Sequence, residues 1–573
     1  MLSGKEEVIE EYHREFIGFS LRNQGSLPNN NYTNMANAFD EDLHLRSIYM
    51  NNKIAEQYSE LSYRSIDCCP NGCVAFDGKF SDLDECPNPK CNAPRRDSKG
   101  RPQRTFHPIP LIPRLQGMFQ DAEMSRSLNR SNRENADKPD ILTDKLDGDH
   151  ARKLCERYVK VDGQETNYKY FTDGRDISLT LGLDGFSFFE TLGKHISKTQ
   201  YTSWTLIALI DSLDPTCRYK RTNILVLGII PGPHEPWDLN SFLYWIRDEL
   251  RLLSIGILTW DVAEQEWFLL RAYILFIIGD MPAIATIMCI KGHNGYCPCR
   301  ACYIIASCGP HDKTLYPALT RPDQQRINVE DLVGNGNNTR THESFLEDLE
   351  EIEDTERMQR RMRLMEIRKE LGINKRSILM EFDSLDFPRS FPHDLMHLAG
   401  LNTIPNLVLL WTGRFKHLKE DQGTGSYLIS EENWKRVSDR CSRGIADMPS
   451  EFSRSLPDIA DKGVGMTAEG WIFWFTALAP YALDGILNNE YYDHAMDLVN
   501  IIRTCMKYEI SREEVEGPLR RSCQNWVEDF ERSACPPLFR QPLTDSPQTI
   551  LSKGSTPYLY MYVNNTCMAS RTR

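Results

Sequence analysis

The sequence predicts an α/β protein with a strand-rich core near the middle of the chain, a mostly helical region after it and a cysteine-rich module before it. Three observations lead to this prediction. Apolar runs rich in β-branched residues lie between residues 176 and 285. Runs with the helical spacing of apolar residues follow residue 393. Closely spaced cysteines precede both regions.

Shifts in composition divide the chain of 573 residues into seven expected segments. The first three are a polar N-terminal segment at 1–60, a cysteine-rich zinc-binding module at 61–105 and a linker at 106–175. An α/β core at 176–285 and a helical region at 393–530 are expected to form one catalytic region, interrupted by a Cys/His and charged-helix insertion at 286–392. An irregular tail at 531–573 ends the series.

The composition is that of an ordinary soluble protein, with 40% hydrophobic and 26% charged residues. The formal net charge of −14 counts only weakly against nucleic-acid binding, because local basic surfaces decide phosphate binding. We expect no signal peptide and no membrane span, since the longest apolar stretch contains Arg271, Asp280 and Pro282. The 17 cysteines cluster at short spacings, which indicates reduced thiols and metal sites in the cytosol or nucleus.

Four strands and one helix are predicted in the core. The strands are ISLTLGLDG, WTLIALIDSL, NILVLGIIPG and EWFLLRAYILFIIGD. The helix runs from Ser241 to Leu253, with Ser241 as its N-cap, and precedes the fourth strand. The order β-β-β-α-β, with an acidic residue at the end of the first and fourth strands, is that of an RNase H-like core.

Asp184 and Asp280 are the acidic residues at those predicted strand ends. Phosphodiester chemistry uses such distant carboxylates to hold two divalent metal ions, because hard cations prefer oxygen ligands. The sequence therefore predicts that Asp184 and Asp280 lie on adjacent strands and bind Mg²⁺ or Mn²⁺. The alternative is structural, because an Asp-Gly pair after a strand commonly forms a turn and a strand-end aspartate is commonly a cap.

A zinc site is predicted in CCPNGCVAFDGKFSDLDECPNPKC. Its expected ligands are Cys69, Cys73, Cys86 and Cys91, two thiolate pairs separated by a short loop, although Cys68 could replace Cys69. Four thiolates leave no open position on the metal, so this site would be structural or DNA-contacting and not catalytic. The alternative is a group of free buried cysteines.

A second zinc site is predicted from the C-x-x-C pair in GHNGYCPCRACYIIASC and the later FPHDLMHL. Cys299 and Cys302 would bind together with His393 and His397, whose spacing of four places both imidazoles on one helix face. Local alternatives for the ligands are His293, Cys297 and Cys308. The alternative to a metal site is a set of reduced core cysteines and a capping histidine.

Charged residues give two weaker signals. Residues 342–371 form a charge-dense helix, which is typical of a solvated or coiled helix. Basic residues at two places could contact phosphates, with an ordinary solvated surface as the alternative. These residues are Arg95, Arg96, Arg101 and Arg104 beside the cysteine module, and Arg218, Lys220 and Arg221 between the second and third strands.

Taken together, these segments resemble the transposases of CACTA (En/Spm) DNA transposons in the form found in fungal genomes. Similar blocks follow in order from Cys68 to Trp526, including CPNGCVAF, IPLIPRLQGMF, LGLDGF, LVLGIIPGP, GDMPA, GHNGYCPCRAC, SLDFPRSFPHDLMHL, NLVLLWTGRF and TAEGW. The resemblance implies an RNase H-like core with a DDE/D triad that cuts transposon ends and joins them to target DNA. Asp184 matches the first acid and Asp280 the second.

The third acid departs from the family pattern. Family members typically carry glutamate where this chain has Leu401, and a leucine cannot bind a metal. Glu469, in TAEGW, is the candidate third catalytic acid; otherwise the triad is broken and the copy is inactive. The tail after NWVEDFE also departs from the family and resembles a frame change or a truncation.

The resulting hypothesis is a nuclear transposase that binds double-stranded DNA at transposon ends and at the target, with Mg²⁺ or Mn²⁺ at the acids, Zn²⁺ at the cysteine sites and a homo-oligomer as a compatible state. The first alternative is a catalytically inactive, transposase-derived protein that binds DNA with the help of zinc. The second is an unrelated zinc-stabilised scaffold that binds proteins through the 342–371 helix. Salt-sensitive DNA binding would argue against that scaffold.

Overall fold

The computed structural model describes most of the chain between residues 64 and 530. The described residues are 31–34, 47, 49–50, 53, 64–129, 140–187, 202–293, 295–308, 314–315, 339–415, 425–448, 456–460 and 465–530. The predicted tail at 531–573 and most of the predicted N-terminal segment lie outside them.

Fourteen strands occur among the described residues. They are β1 (Ile66–Asp67), β2 (Thr105–Phe106), β3 (Ile141–Leu142), β4 (Tyr158–Val161), β5 (Gln164–Lys169), β6 (Ile177–Ser187), β7 (Thr202–Ile210), β8 (Leu225–Ile230), β9 (Ile257–Asp261), β10 (Glu266–Leu270), β11 (Ala272–Ile278), β12 (Ser307–Cys308), β13 (Thr314–Leu315) and β14 (Ile510–Ser511).

Helices surround the strands and dominate the later part of the chain. The α-helices are Ile112–Met118, Ala122–Leu128, Asp149–Cys155, Pro215–Arg218, Tyr244–Ile255, Met281–Met288, His342–Arg357, Arg361–Glu370, Ile404–Trp411, Glu431–Ala446, Ala468–Phe473, Ala479–Leu483, Asn489–Cys505, Arg512–Glu514 and Arg520–Asp529. Short 3₁₀ turns occur at Gly78–Phe80, Lys145–Asp147, Arg221–Asn223, Leu239–Phe242 and Ile378–Glu381, and π-helical segments at Met396–Thr403, Trp474–Leu478 and Val515–Leu519.

A mixed four-stranded sheet forms the centre of the fold, in the order β11-β6-β7-β8. β6, β7 and β8 are antiparallel neighbours, whereas β11 runs parallel to β6. The side chains of β6 are buried on both faces: Leu179 and Leu181 on one side and Ser178 and Thr180 on the other are fully buried. A sheet covered on both faces is typical of an α/β protein. The predicted mixed α/β class is confirmed.

The predicted fourth strand is in fact two strands. β10 pairs antiparallel with β9 to form a separate hairpin, and the chain then continues past Arg271 into β11 of the central sheet. The prediction was wrong here because EWFLLRAYILFIIGD is a nearly continuous apolar run, in which no turn residue separates the two strands. Only its second half, with six buried residues in a row, has the pattern of a strand covered on both faces.

The helix before β9 begins later than predicted. It starts at Tyr244, and Leu243 stands at its N-cap position without a side-chain capping bond. Ser241 lies in the preceding 3₁₀ turn, where its hydroxyl accepts from the Ala75 backbone N–H at 2.9 Å and donates to the Asp238 carbonyl at 2.6 Å. The serine therefore ties the cysteine-rich module to the core instead of capping the helix.

The charge-dense segment forms two helices, not one. They meet at Met358–Arg360, where Gln359 has a positive φ of 56°. The first helix is also not fully solvated, because Phe345, Leu349 and Ile352 are buried in the main apolar core. The prediction of a single solvated helix was wrong because mixed-sign charges concealed these three positions at helical spacing.

The later helices share an apolar core of their own. It contains the buried Trp474, Phe475 and Trp526, with side chains from the helices that begin at Ile404, Glu431 and Asn489. None of the described helices combines the length and the apolar character that crossing a membrane would require.

Candidate metal centres

The central sheet brings Asp184 and Asp280 side by side. Ile278 at the end of β11 pairs with Gly182 of β6 in parallel register. Asp280 and Asp184 each follow two residues later, so they lie opposite one another across the two chains. A Cβ at Gly279 would lie only 2.6 Å from the Leu183 carbonyl oxygen, so glycine is required for this close approach. The expected pairing of the two strands is observed, although Asp280 lies two residues beyond the end of β11.

Asp184 does not end its strand. β6 continues to Ser187, and Asp184 pairs with Thr205 of β7, so the alternative of an Asp-Gly turn is wrong. The strand fixes the backbone while the Asp184 side chain remains exposed. Burial raises the pKa of Asp184, and the negative charge of Asp280 raises it further, whereas the imidazole of His397 lowers it. Mutual repulsion of this kind is what a cation between two carboxylates relieves.

Asp280 caps the helix Met281–Met288. Its Oδ1 atom accepts from the Ala283 backbone N–H at 2.7 Å, and Pro282 follows in the first turn. Asp280 therefore has the capping role that was the structural alternative to metal binding. Because a carboxylate has two oxygens, a cap formed by Oδ1 is compatible with a ligand at Oδ2. The helix start holds the carboxyl group in one orientation.

The segment 384–397 runs along the outer edge of β11 toward the two aspartates. Ser384 Oγ donates to the Ile274 carbonyl at 2.7 Å, and the Ile277 backbone N–H donates to the Ser390 carbonyl at 2.8 Å. Beyond β11 the chain reaches His397, at the start of the π-helical segment Met396–Thr403. This route leads to His397, whose imidazole lies near enough to feel the charges of Asp184 and Asp280.

His397 is held by Asp394. The imidazole Nδ1 lies 2.8 Å from Asp394 Oδ2, and the His397 backbone N–H donates to Asp394 Oδ1 at 2.7 Å. The hydrogen bond to Asp394 raises the pKa of His397, and the charges of Asp394, Asp280 and Asp184 raise it further. His397 thus forms part of the electrostatic environment of the two aspartates.

The two candidate positions for a third acid lie on helices that contact one another. A Cβ at Gly400 would lie 2.7 Å from the Ala468 carbonyl oxygen, so the π-helical segment meets the start of the helix Ala468–Phe473 at van der Waals distance. Leu401 follows Gly400, and Glu469 follows Ala468. Both side chains are exposed, Leu401 to 44%.

The four residues expected to form a second zinc site are only partly brought together. Arg300 donates to the Pro392 carbonyl at 2.8 Å, so the C-x-x-C turn lies beside His393. Cys299 and Cys302 share a hydrogen bond, which lowers the pKa of Cys299 to about 6. Within the described residues, the ligand atoms of Cys299, Cys302, His393 and His397 form no compact group, and His397 is bonded to Asp394 instead.

A compact group of sulfurs does form in the N-terminal module. The Sγ atoms of Cys69, Cys73, Cys86 and Cys91 all lie within 4.8 Å of one another, and those of Cys69 and Cys91 are 3.6 Å apart. Tetrahedral thiolates around zinc at about 2.3 Å would be separated by about 3.5–4 Å. The predicted ligand set therefore converges, and it could hold a metal such as zinc.

Cys68, the alternative ligand, lies outside this group. Its side chain is fully buried in the main apolar core, and its backbone forms an isolated antiparallel β-bridge with Ala75. Burial raises its pKa to about 12, which suits a neutral structural thiol. Consecutive residues of an extended segment point to opposite sides, so Cys69 faces the sulfur cluster when Cys68 faces the core.

Two asparagines approach the sulfurs. The Asn71 side chain donates to Cys91 Sγ at 3.2 Å, and the Asn88 side chain donates to Cys73 Sγ at 3.3 Å. Burial raises the pKa of Cys91, but the bond from Asn71 and further hydrogen bonds outweigh burial and lower the pKa to about 7. Such amide donors stabilise thiolates, which are the form that binds a metal. Neither asparagine was expected as a site residue, although the position of each within the cysteine loops was an available signal.

The cysteine module docks on the β8 side of the sheet, at the opposite edge from β11. Ile109 donates from its backbone N–H to the Leu227 carbonyl at 2.8 Å, and the Phe106 ring lies against Gly228. Lys79 pairs with the buried Asp238 at 2.7 Å. The module and the aspartate pair are therefore separate regions of one folded body.

Most of the basic residues expected to contact phosphates have internal partners. Arg218 is buried and pairs with Asp144 at 2.5 Å. Arg95 and Arg96 pair with Asp67, Arg101 pairs with Asp97, and Arg104 donates to the Gly232 carbonyl. The prediction of DNA contacts was wrong for the buried Arg218, because its charge balances a buried acid. Lys220 and Arg221 remain exposed.

Residues 155–316 match the family model described as transposase family tnp2. No curated protein matches the chain. The matched region includes β6, β7, β8 and β11, and therefore both Asp184 and Asp280. This similarity supports a transposase-like function.

Proposed function

We propose that the chain is a DNA transposase of the CACTA type, in its fungal form, that cleaves and joins DNA strands at transposon ends. The observation that supports this proposal is the parallel pairing of β6 and β11, because Asp184 lies on β6 and Asp280 follows β11 by two residues, both inside the region similar to transposases. The strand order β11-β6-β7-β8, with only β11 parallel to β6, supports an RNase H-like core. DNA at the transposon ends and at the target would be the partner, in the nucleus, with a homo-oligomer as a compatible state.

The donor set at the acid pair fits a hard divalent cation. Carboxylate oxygens are the ligands that Mg²⁺ and Mn²⁺ prefer, so Asp184 and Asp280 would hold such ions. When bound, these ions stabilise the attacking and leaving oxygens of a phosphodiester. The chain contributes two rigid supports, a strand beneath Asp184 and a helix start that orients Asp280. Glu469 is the proposed third acid, because its helix packs on the segment that carries His397 and Leu401.

The four thiolates fit a different ion. Cys69, Cys73, Cys86 and Cys91 would hold Zn²⁺ in a closed tetrahedral shell, which stabilises the module without catalysis. The second zinc site, with Cys299, Cys302, His393 and His397, stays a prediction. Exposed Lys220 and Arg221 would contact DNA phosphates, and each such contact would make binding weaker as salt concentration rises.

A strand-cleavage assay tests the proposal. The zinc-loaded full chain is incubated with supercoiled double-stranded DNA and either Mg²⁺ or Mn²⁺, and nicked products are measured. We expect metal-dependent nicking by the natural chain, loss of nicking in Asp184→Asn, and retention in Glu264→Gln, an exposed acid of the β9–β10 turn.

Nicking that persists at full rate in Asp184→Asn would contradict the proposed acid pair. Salt-sensitive DNA binding by the natural chain without any nicking would identify the catalytically inactive DNA-binding protein instead.

A further inference from the structure

The outer face of the β9–β10 hairpin carries four apolar side chains. The antiparallel register pairs Trp260 with Trp267 and Leu258 with Leu269. Residues directly opposite one another, and residues two apart along a strand, lie on the same side of a sheet, so these four side chains form one surface, the hairpin face. Trp267 is 62% exposed, Leu258 60% and Leu269 44%, and Trp260 is partly exposed.

The other side of the hairpin already packs on the core. Thr259, Phe268 and Leu270 are buried there, and the Phe268 ring lies 4.8 Å from that of Phe119. An antiparallel sheet with one side on the core normally presents polar residues to water on the other side. Here both sides are apolar, and an exposed apolar patch of this kind is typical of a protein–protein contact.

We propose that the hairpin face binds the same face of a second copy of this chain, in a dimer with two-fold symmetry. In such a dimer one patch meets its own copy, so it must complement itself. The hairpin face does so, because it consists of one tryptophan pair and one leucine pair across the two strands. The proposal assigns a surface to the homo-oligomer and does not depend on the chemistry of the acid pair.

The charges of the hairpin favour a second copy over a polyanion. Residues 257–270 contain Asp261, Glu264 and Glu266 and no lysine or arginine. DNA phosphates and anionic lipids both require cations, which this hairpin lacks. Basic residues beside it are paired within the chain, Arg251 with Asp162 and Arg175 with Glu266. The surroundings of the face therefore need few countercharges from a partner.

The size and rigidity of the face also suit a dimer. Each fully buried tryptophan removes about 150–250 Å² from water, and a standard interface buries about 800 Å² per partner, so the two tryptophans and two leucines would form its apolar centre. The hairpin is held in place, because the side chains of Gln116 and Gln120 donate to the Leu258 and Trp260 carbonyls, both at 3.2 Å. A preorganised surface loses little conformational freedom on binding.

Sedimentation velocity of the zinc-loaded full chain over a concentration series tests the proposal. We expect a concentration-dependent dimer that persists at high salt, since its contacts are apolar. Trp267→Glu should weaken dimerisation by about 30-fold or more, the usual effect of removing a central tryptophan. The matched control is Trp237→Glu, the same change at another exposed tryptophan, which lies beside the cysteine module and should leave the dimer intact.

Photochemical cross-linking gives a second measurement that does not depend on the folding of Trp267→Glu. With p-benzoylphenylalanine at position 267, an aromatic side chain is retained, and we expect cross-links to residues 257–270 of a second copy. Cross-links to other parts of a second copy only would overturn the proposed interface.

The outcomes distinguish this interface from the proposed function. A natural chain that stays monomeric, or a dimer that Trp267→Glu leaves intact, would overturn the hairpin interface. Weaker DNA binding by Trp267→Glu in a chain that is monomeric throughout would assign the face to nucleic acid, which also overturns it. Nicking by a monomeric chain would leave the proposed function intact, whereas Asp184→Asn should lose nicking and remain a dimer.

Discussion

The cysteine cluster and the aspartate pair are two candidate metal centres built in opposite ways. Cys69 and Cys91 are 22 residues apart, and tight turns within one small module bring their sulfurs to 3.6 Å. Asp184 and Asp280 are 96 residues apart (280 − 184 = 96), and only the pairing of β6 with β11 brings them together.

This difference has consequences for both stability and chemistry. The cysteine ligands surround a closed position with amide donors around it, so a metal there contributes directly to folding. The aspartates lie at an exposed end of the central sheet. The strand that carries Asp184 and the helix start that orients Asp280 form without any metal ion. Metal removal should therefore unfold the first region and leave the second folded but inactive.

The largest expected effect concerns the cysteine cluster. Cys86→Ser removes one of four thiolates, and structural zinc contributes about 10–16 kcal/mol of binding free energy in comparable modules. We expect loss of zinc and early unfolding of the module, measured by elemental analysis and thermal unfolding. Cys68→Ser should retain zinc, because Cys68 lies outside the cluster. Equal zinc content in the two variants would contradict the closed cluster.

The next effect separates the two roles of Asp280. Asparagine caps helices as well as aspartate does, so Asp280→Asn should change the free energy of unfolding by less than about 0.5 kcal/mol. Metal-dependent nicking should fall by about 10³-fold or more, since a bound ion supplies several kcal/mol of stabilisation to the transition state.

Asp280→Ala is the comparison variant. It loses the cap as well, and should cost about 1 kcal/mol of stability in addition to nicking. If Asp280→Asn nicked DNA normally while Asp280→Ala did not, Asp280 would be needed for nicking because it caps the helix and not because it binds a metal ion.

Acid should weaken β11, the strand that precedes Asp280. His150 packs on Phe276 of β11, and its Nε2 lies 3.1 Å from Ser390 Oγ. Burial lowers the pKa of His150 to about 4, from 6.5, so the unfolded chain takes up a proton that the folded chain refuses. Stability is therefore present above pH 6.5 and is lost as the pH falls toward 4, by about 3 kcal/mol at most.

The measurement is the free energy of unfolding between pH 7.5 and 4.5. His150→Gln should show a shallower loss than the natural chain, because glutamine does not titrate. Parallel curves for the two proteins would show that His150 does not couple this region to pH.

Much of the sheet could be predicted from sequence because its strands are rich in apolar and β-branched residues. The first three strands follow directly from such runs. The separation of β10 from β11 could not be predicted, since no turn residue marks the break at Arg271. Arg218 was misassigned because its partner Asp144 lies 74 residues away.

The candidate metal centres, like the sheet, could be predicted from the sequence only in part. Four cysteines within one short loop region identify their own cluster, because sequence proximity forces spatial proximity. His397 was expected to bind zinc with Cys299, but its ring bonds to Asp394, at the end of the segment 384–397 that runs along β11. No local pattern encodes that route, so only the folded structure reveals it.

The smallest expected effect concerns the missing acid. Leu401 is 44% exposed, so Leu401→Glu should fold normally. If position 401 is the lost third ligand, the added carboxylate should strengthen Mn²⁺ binding by about tenfold, because divalent affinity increases with the number of charged ligands. Leu401→Gln, of similar size but neutral, should give a smaller change. No difference between the two would indicate that Glu469 already serves.

Crystals soaked with Mn²⁺ give the most direct test of the acid pair. We expect an anomalous peak between β6 and β11, within about 2.0–2.6 Å of carboxylate oxygens from both Asp184 and Asp280, which is the range for hard divalent cations. A well-occupied peak that contacts neither aspartate, or a vacant edge at saturating Mn²⁺, would contradict it.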